Sequence, residues 1–346
     1  VGRGRGDDGD LTPAPKFIND PRDVVEEMLD GFLRTHARLV RRGSDARVVT
    51  RVEPAADAVG VIAGGGSGHE PALLGYVGRG VLDAVVVGDV FASPPVGDVV
   101  EAIRVVDTGR GVLLLIGNYA GDVLNFEMAM ELAREAGHSV ELEIVTDDVA
   151  AGTGETGGRR GLAGSFFVWK AAGAAAARGD TLDAVRRIAR DTIDATRTMG
   201  VASRPGTLPG SEHPTFEVID GMIEVGVGHG ELGLRREPMR HVDAIVDDLV
   251  DHLWSFDPAG GLGDEVATLV NGFGGTPLME LYLVQRRLLH ELERRGVVVH
   301  RSYVGNVYTA LEMAGFSIAL LGLNAERHEL IDAPAETPHF AQADTP

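Results

Sequence analysis

The stretch AVGVIAGGGSGHEP (58–71) decides the fold. Its first six residues are apolar or small with no polar alternation, as in a strand buried on both faces, which a parallel sheet covered by helices requires. Three glycines, then Ser67, Gly68 and His69, make a turn, and Glu70-Pro71 opens a predicted helix because proline suits a first helical turn. A strand ending in glycines lets a small ligand come close to the backbone at the C-terminal edge of the sheet. His69 at that edge has the chemistry of a general base. The alternative is a plain strand-to-helix turn with a surface histidine. No GK[ST] follows, so this is not a Walker A loop.

The same grammar extends outward. LDAVVVGDVF (82–91), GVLLLIGN (111–118) and VELEIVTDDVA (140–150) are apolar runs ending in turn residues, and YAGDVLNFEMAMELAREAG (119–137) reads as a helix. Upstream, FINDPRDVVEEMLDGFLRTHARLV (17–40) reads as a helix capped by Asp20, with Pro21 in the first turn and Val24, Val25, Met28, Leu29 and Phe32 on its core face. Downstream, AGTGETGGRRGLAGS (151–165) reads as a mobile loop before the Ala-rich helix 166–179. Proline and glycine in ASRPGTLPGSEHP (202–214) interrupt the pattern. After them come strand 222–228, helix 241–254, strand 265–272, helix 276–296 with Thr276 as cap and Pro277 at its first position, and strands 297–305 and 316–323. The expectation is an α/β protein of two α/β domains, 1–190 with a mainly parallel sheet and 191–346 with a mixed sheet.

Composition narrows the function classes. With 32 Lys+Arg against 52 Asp+Glu, the net charge of -20 argues against a phosphate-backbone partner, so no nucleic acid is expected. The absence of cysteine excludes disulfides, thiolate catalysis and cysteine-held zinc. No apolar run approaches a membrane span, and VGRGRGDDGD (1–10) lacks the core of a signal peptide, so no membrane partner and a cytoplasmic location are expected.

Two further stretches carry candidate chemistry. NYAGDVLNFE (118–127) puts Asp122 just after a strand, at the same sheet edge as His69, where it serves either proton transfer or helix capping. GVGHGELG (226–233) contains GxGxxG, but a dinucleotide site needs a helix to open at Gly233, and Pro238 delays one until about His241. The other readings are a histidine, His229, released between glycines with Glu231 beside it, or a glycine turn with an exposed ring. Asp147-Asp148 and Asp247-Asp248 have no supporting ligands at metal spacing and read as solvated charge, so no metal is expected.

Taken in order, KFINDPRDVVEEMLDGF, GGGSGHEP, GDVFASPP, NYAGDVLNFEMA, TDDVA, RRGLAGS, TRTMGVA, VGVGHGELG, NGFGGTPLMELY, VGNVYTALEMAGFSIALL and LIDAPAETP run from about residue 16 to 338. This series resembles the K-type, substrate-binding subunit or domain of dihydroxyacetone kinases. The resemblance implies a homodimer that binds a short ketose, dihydroxyacetone or a C4 ketose such as erythrulose, for phosphorylation. It implies acid/base roles for His69 and Asp122, substrate contacts from Gly66, Ser67, Gly68, Gly117 and Asp122, and a hemiaminal between His229 and the substrate carbonyl. No cofactor is expected on this chain, since in such kinases ADP or ATP with Mg2+ sits on an L-type partner subunit or domain.

Three departures surround the implied substrate site. Gly117 and Ala120 stand in GNYAGD where the family commonly has KNYTGD, Gly228-His229 runs on without the family's intervening residue, and Leu232 replaces proline in HGEPG. In an extended segment a one-residue change reverses side-chain direction unless the loop adjusts. The pattern fits a kinase subunit with a shifted substrate, a ligand-sensing coregulator, or a carbonyl-binding enzyme that is not a kinase.

Overall fold

The computed structural model describes residues 16–43, 47–150, 158–256 and 261–343. The elements run α1 (Val24–Thr35), β1 (Val40–Arg42), β2 (Val48–Arg51), β3 (Gly60–Ser67), β4 (Ala84–Val90), α2 (Val96–Val106), β5 (Val112–Gly117), α3 (Ala120–Glu135), β6 (Val140–Val145), α4 (Ser165–Arg178) and α5 (Leu182–Asp194). They continue with β7 (Thr196–Arg204), β8 (Met222–Val225), β9 (Arg235–Pro238), α6 (Val242–Ser255), β10 (Glu265–Gly272), α7 (Leu278–Arg294), β11 (Val298–Gly305), β12 (Ala314–Gly322), α8 (Ala325–Asp332) and the short β13–β14 pair (Ala335–Glu336, Ala341–Gln342).

Two six-stranded mixed sheets form, ordered β1-β2-β4-β3-β5-β6 and β11-β10-β12-β7-β8-β9. In the first, β4, β3, β5 and β6 are parallel, and β1 and β2 add an antiparallel edge. In the second, only β10 and β11 are parallel.

Side-chain alternation sorts the strands into layers. In β3 to β5, Ile62, Val86, Leu114 and Ile116 pack on Ala102, Ile103, Phe126 and Ala129 of α2 and α3. Val61, Ala63, Val85, Leu113 and Leu115 turn the other way, into a core with α4 and α5 that also takes Ala267, Leu269, Ala319 and Leu321 of the second sheet. The far face of that sheet packs on α6 and α7. Helix α4 thus lies in the core shared by the two sheets, and its alanines and Gly173 allow the fit: a Cβ on Gly173 would sit 2.0 Å from the Val81 carbonyl oxygen. Lys170 in α4 is fully buried and donates to the Leu330 carbonyl of α8 at 2.7 Å. No described helix is long and apolar enough to cross a membrane.

Several local expectations change. Helix α1 starts at Val24 with Asp23 at its cap position, because Asp20 instead accepts from the Arg22 backbone N–H at 2.9 Å. Thr276 does not cap α7; its hydroxyl is latched to the Gly315 backbone of β12, donating to the carbonyl at 2.7 Å and accepting from the N–H at 2.8 Å. At Glu70-Pro71 there is only a 3₁₀ turn, Leu74–Tyr76. The Glu70 carboxylate folds back onto the Gly68 N–H, and Thr309 takes its carbonyl. Asp147 and Asp148 are not solvated: both are wholly buried, Asp147 accepting from the Leu162 and Gly164 N–H groups and Asp148 pairing with Arg160. Asp247, by contrast, lies on a helix surface and pairs with Arg287. Part of the loop expected at 151–165 lies outside the described residues, as does the N-terminal decapeptide.

Candidate functional site

The C-terminal ends of β3, β4 and β10, the loop after β8 and the segment between β11 and β12 converge on one cluster of rings. His69, leaving β3, stacks on Phe91 with ring centroids 4.7 Å apart and lies 5.7 Å from the His229 ring and 5.3 Å from Tyr308. His229 stacks flat on Tyr308 at 4.0 Å and meets the edge of Phe273 at 5.7 Å. The loop that lacks one residue therefore still turns its histidine toward His69.

Phe91 is the plate on which both glycine turns close. Gly68 (φ +92°) and Gly230 (φ +91°) each pass so near it that a Cβ would stand 3.0 Å and 2.7 Å from its ring. Phe91 itself has φ 56°, an uncommon conformation for a bulky residue and of the kind that concentrates at functional sites. Its N–H donates to the Ser67 carbonyl, and the Ser67 hydroxyl donates to the Gly88 carbonyl at 2.8 Å. On the other side of the turn, the Gly68 and His69 carbonyls accept from Leu311 and Thr309. The turn is thus held from both halves of the molecule. Gly66 leaves no room toward β4's exit, since a Cβ would lie 2.7 Å from the Ala92 nitrogen.

Protonation states follow from these contacts. His69 Nδ1 lies 2.7 Å from the Thr309 carbonyl, which only accepts, so Nδ1 carries the proton and Nε2 keeps a lone pair. Burial lowers the His69 pKa to about 4, the Thr309 bond opposing this, so the ring is neutral at pH 7. His229 is held well below the ordinary histidine range by burial, then by His69 and Arg160. Both of its ring nitrogens are buried without a hydrogen-bond partner. Buried polar atoms are rarely left so, and an unmet pair of nitrogens in a ring cage marks a place where a ligand atom belongs.

Asp122 lies in the first turn of α3 but does not cap it, as Tyr119 occupies the cap position and no side-chain cap bond forms. Its carboxylate faces the end of β3, 3.8 Å from where a Gly65 Cβ would be, and its Oδ1 has no partner. Burial raises its pKa to about 6, with Ser93 pulling the other way. At Gly117, a Cβ would touch the Tyr119 ring at 3.1 Å, so that ring fills the direction a side chain would take there.

Arg160 holds the His229 loop. It donates to the Asp148 carboxylate at 2.8 Å, to Glu231 at 2.9 Å and to the Gly226 carbonyl at 2.8 Å. Glu231 therefore serves the loop through Arg160 rather than through His229. Gly233 leads into strand β9, at the sheet edge where a Pro238 is tolerated, and not into a helix N-terminus, so the loop lacks what a pyrophosphate site needs.

Residue-by-residue reading found His69, Asp122 and His229, but not Phe91, Arg160, Phe273, Tyr308 or Thr309. Those five lie inside stretches that carry the family resemblance, GDVFASPP, RRGLAGS, NGFGGTPLMELY and VGNVYTALEMAGFSIALL, but have no residue type or spacing that marks chemistry by itself. Among the described residues, the one group of three His, Cys, Asp or Glu side chains close enough to hold a metal ion is Glu265, His300 and His328, outside this cluster.

A profile of the Dak1 domain matches residues 30–339. The chain is 42% identical over 325 residues to "PTS-dependent dihydroxyacetone kinase 1, dihydroxyacetone-binding subunit DhaK" of Listeria innocua, covering 93% of this chain and 98% of that one. It is 40% identical over 334 residues to "D-erythrulose kinase" of Mycolicibacterium smegmatis, covering 94% of this chain but only 56% of that protein. Among solved structures, "Dihydroxyacetone kinase operon co-activator Dha-DhaQ" superposes with a TM-score of 0.85 at 31% identity, covering 92% of this chain and 98% of that one. With this sequence and this fold, the chain belongs to the Dak1 domain family.

Proposed function

We propose that this chain is the ketose-binding subunit of a dihydroxyacetone-type kinase, holding dihydroxyacetone or a C4 ketose through His229 while His69 and Asp122 handle the proton of the hydroxyl to be phosphorylated. One observation carries the reading: a neutral, buried His229 with both nitrogens unpartnered, in van der Waals company with a neutral His69 whose Nε2 is free to accept. A ring nitrogen of His229 adds its lone pair to the C2 carbonyl, the C=O π bond breaks, and the ring's N–H proton ends on the new C2 hydroxyl. Neutrality is a condition for this, because an imidazolium has no lone pair to give. The bond selects carbonyl compounds over glycerol, which offers no electrophilic carbon, and fixes the terminal hydroxyl for transfer.

His69 Nε2 then accepts the hydroxyl proton, and Asp122, ionised above about pH 6, is the second proton acceptor of the pair. The nucleotide through which the phosphoryl group reaches the sugar, ATP or an ADP that a phosphotransferase relay has phosphorylated, with Mg2+, is assigned to an L-type partner subunit, and the chain pairs with a second copy of itself in a cytoplasmic complex. The retained His69–Asp122 pair favours a kinase subunit over a ligand-sensing coregulator, since sensing needs no proton acceptor.

The test is reconstitution with a cognate L-type partner and phosphoryl donor on a panel of C3 and C4 ketoses. The proposal expects phosphorylation of at least one ketose, none of glycerol, and no turnover with His69→Ala. Absence of product from an active partner, or a His69→Ala chain that still turns over, refutes it.

A further inference from the structure

At the end of the second sheet away from the ketose site, Glu265 opens β10, His300 lies in β11, and His328 projects from α8. Their donor atoms all fall within 4.8 Å of one another. Glu265 Oε1 lies 3.9 Å from His300 Nδ1 and 3.8 Å from His328 Nε2, and the two rings stand 3.7 Å apart. Behind them, Asp332 Oδ2 is 2.9 Å from His300 Nε2 and 3.7 Å from His328 Nδ1. Because a carboxylate accepts, His300 Nε2 carries the proton, and its Nδ1 lone pair points into the trio. Arg301 holds the other oxygen of Asp332 through two bonds, at 2.8 and 2.5 Å, and so fixes it in place.

We propose that Glu265, His300 and His328 form a zinc site, with Asp332 as the outer carboxylate that orients the His300 imidazole. Two imidazoles and a carboxylate suit borderline Zn2+ better than Mg2+ or Ca2+, which prefer all-oxygen shells. Donors around a tetrahedral zinc with bonds of about 2.05 Å lie roughly 3.3 Å apart, so the two gaps to Glu265 need to close by about half an ångström while the two rings, 3.7 Å apart, swing away from each other. All three side chains are partly exposed, which gives the ion an entry path and leaves a fourth position to water. The net charge of -20 favours any cation. The site is separate from the ketose cluster: Asn271, at the far end of β10, binds the Val307 and Tyr308 N–H groups beside the rings, six residues or about 20 Å along the strand from Glu265. The ion ties β10, β11 and α8 together at that far end, and so has a structural role rather than a part in phosphoryl transfer.

The test titrates Zn2+ alone into the full chain after chelator treatment, by calorimetry, and Co2+ as a spectroscopic stand-in, with Glu265→Gln, His328→Gln and His229→Asn. Glu265 and His328 are half-exposed, so the first two variants keep the fold, which circular dichroism checks. The expected result is one equivalent bound by the parent chain and by His229→Asn, a four- or five-coordinate Co2+ absorption band, and affinity about 100-fold weaker or worse in the two ligand variants, since loss of an outer partner alone lowers affinity about 10–100-fold. No binding by the parent chain, equal binding by the ligand variants, or loss of binding in His229→Asn overturns the proposal.

Discussion

Replacing Asp122 by Asn is expected to stabilise the protein while abolishing its activity. Burial lifts the Asp122 pKa from 3.8 to about 6, with its Oδ1 left without a partner. The sign follows from linkage: between those values the folded chain holds a proton that the unfolded chain has released, so stability falls as pH rises through the window. Above about pH 6 the ionised group destabilises the fold by at most about 3 kcal/mol, at 1.36 kcal/mol per pKa unit. Residual solvent contact lowers this to about 1–2 kcal/mol. Asparagine carries no charge to desolvate. At pH 7.5 the variant should melt about 1–3 °C higher than the parent, with the gain shrinking to about half at pH 5. Turnover in the reconstituted kinase should fall by about 10²–10⁴, the usual weight of a proton-transfer group. Melting scans at pH 5 and 7.5, with a parallel activity assay, measure both. A variant no more stable at pH 7.5 than the parent, or a gain that does not depend on pH, refutes the reasoning, because the strain would then not be the charge of Asp122.

The same contacts carry three other expectations. Arg160→Gln removes an ion pair and two hydrogen bonds that tie the wholly buried Asp148, Glu231 and the Gly226 carbonyl together, so chemical denaturation should show a loss of about 1–3 kcal/mol, with weaker ketose binding. Phe91→Ala opens the stacked face of His69 to water; relief of desolvation should raise the His69 pKa from about 4 toward the ordinary histidine range, read from its ring nitrogen shifts in an NMR titration. Gly230→Ala forces a Cβ against the Phe91 ring at a positive φ and should weaken ketose binding by tenfold or more, the equivalent of about 1.4 kcal/mol, in calorimetry.

Much of the fold was legible because the central strands are buried on both faces, so that β3, β4 and β5 are nearly unbroken apolar runs. β1 and β2, short and bearing Arg41, Arg42 and Arg51, gave no such signal, and β7 hid behind Thr196, Arg197 and Thr198, polar residues that the structure buries. Asp147-Asp148 misled for the same reason: a sequence does not display the backbone N–H groups and the Arg160 that compensate a buried charge. At the site, glycine turns announced His69 and His229, while Tyr308 and Thr309 are brought there by packing between chain segments about 240 residues apart, which no local pattern encodes.

The central claim is the bond between His229 and the sugar. [2-¹³C]Dihydroxyacetone added to the chain labelled with ¹⁵N-histidine should give a tetrahedral carbon resonance, one per chain, with a one-bond coupling to a ring nitrogen, and His229→Asn should lose it. Saturable binding in which the only ¹³C signals are the free carbonyl and its hydrate, with no coupling to nitrogen, would contradict the account.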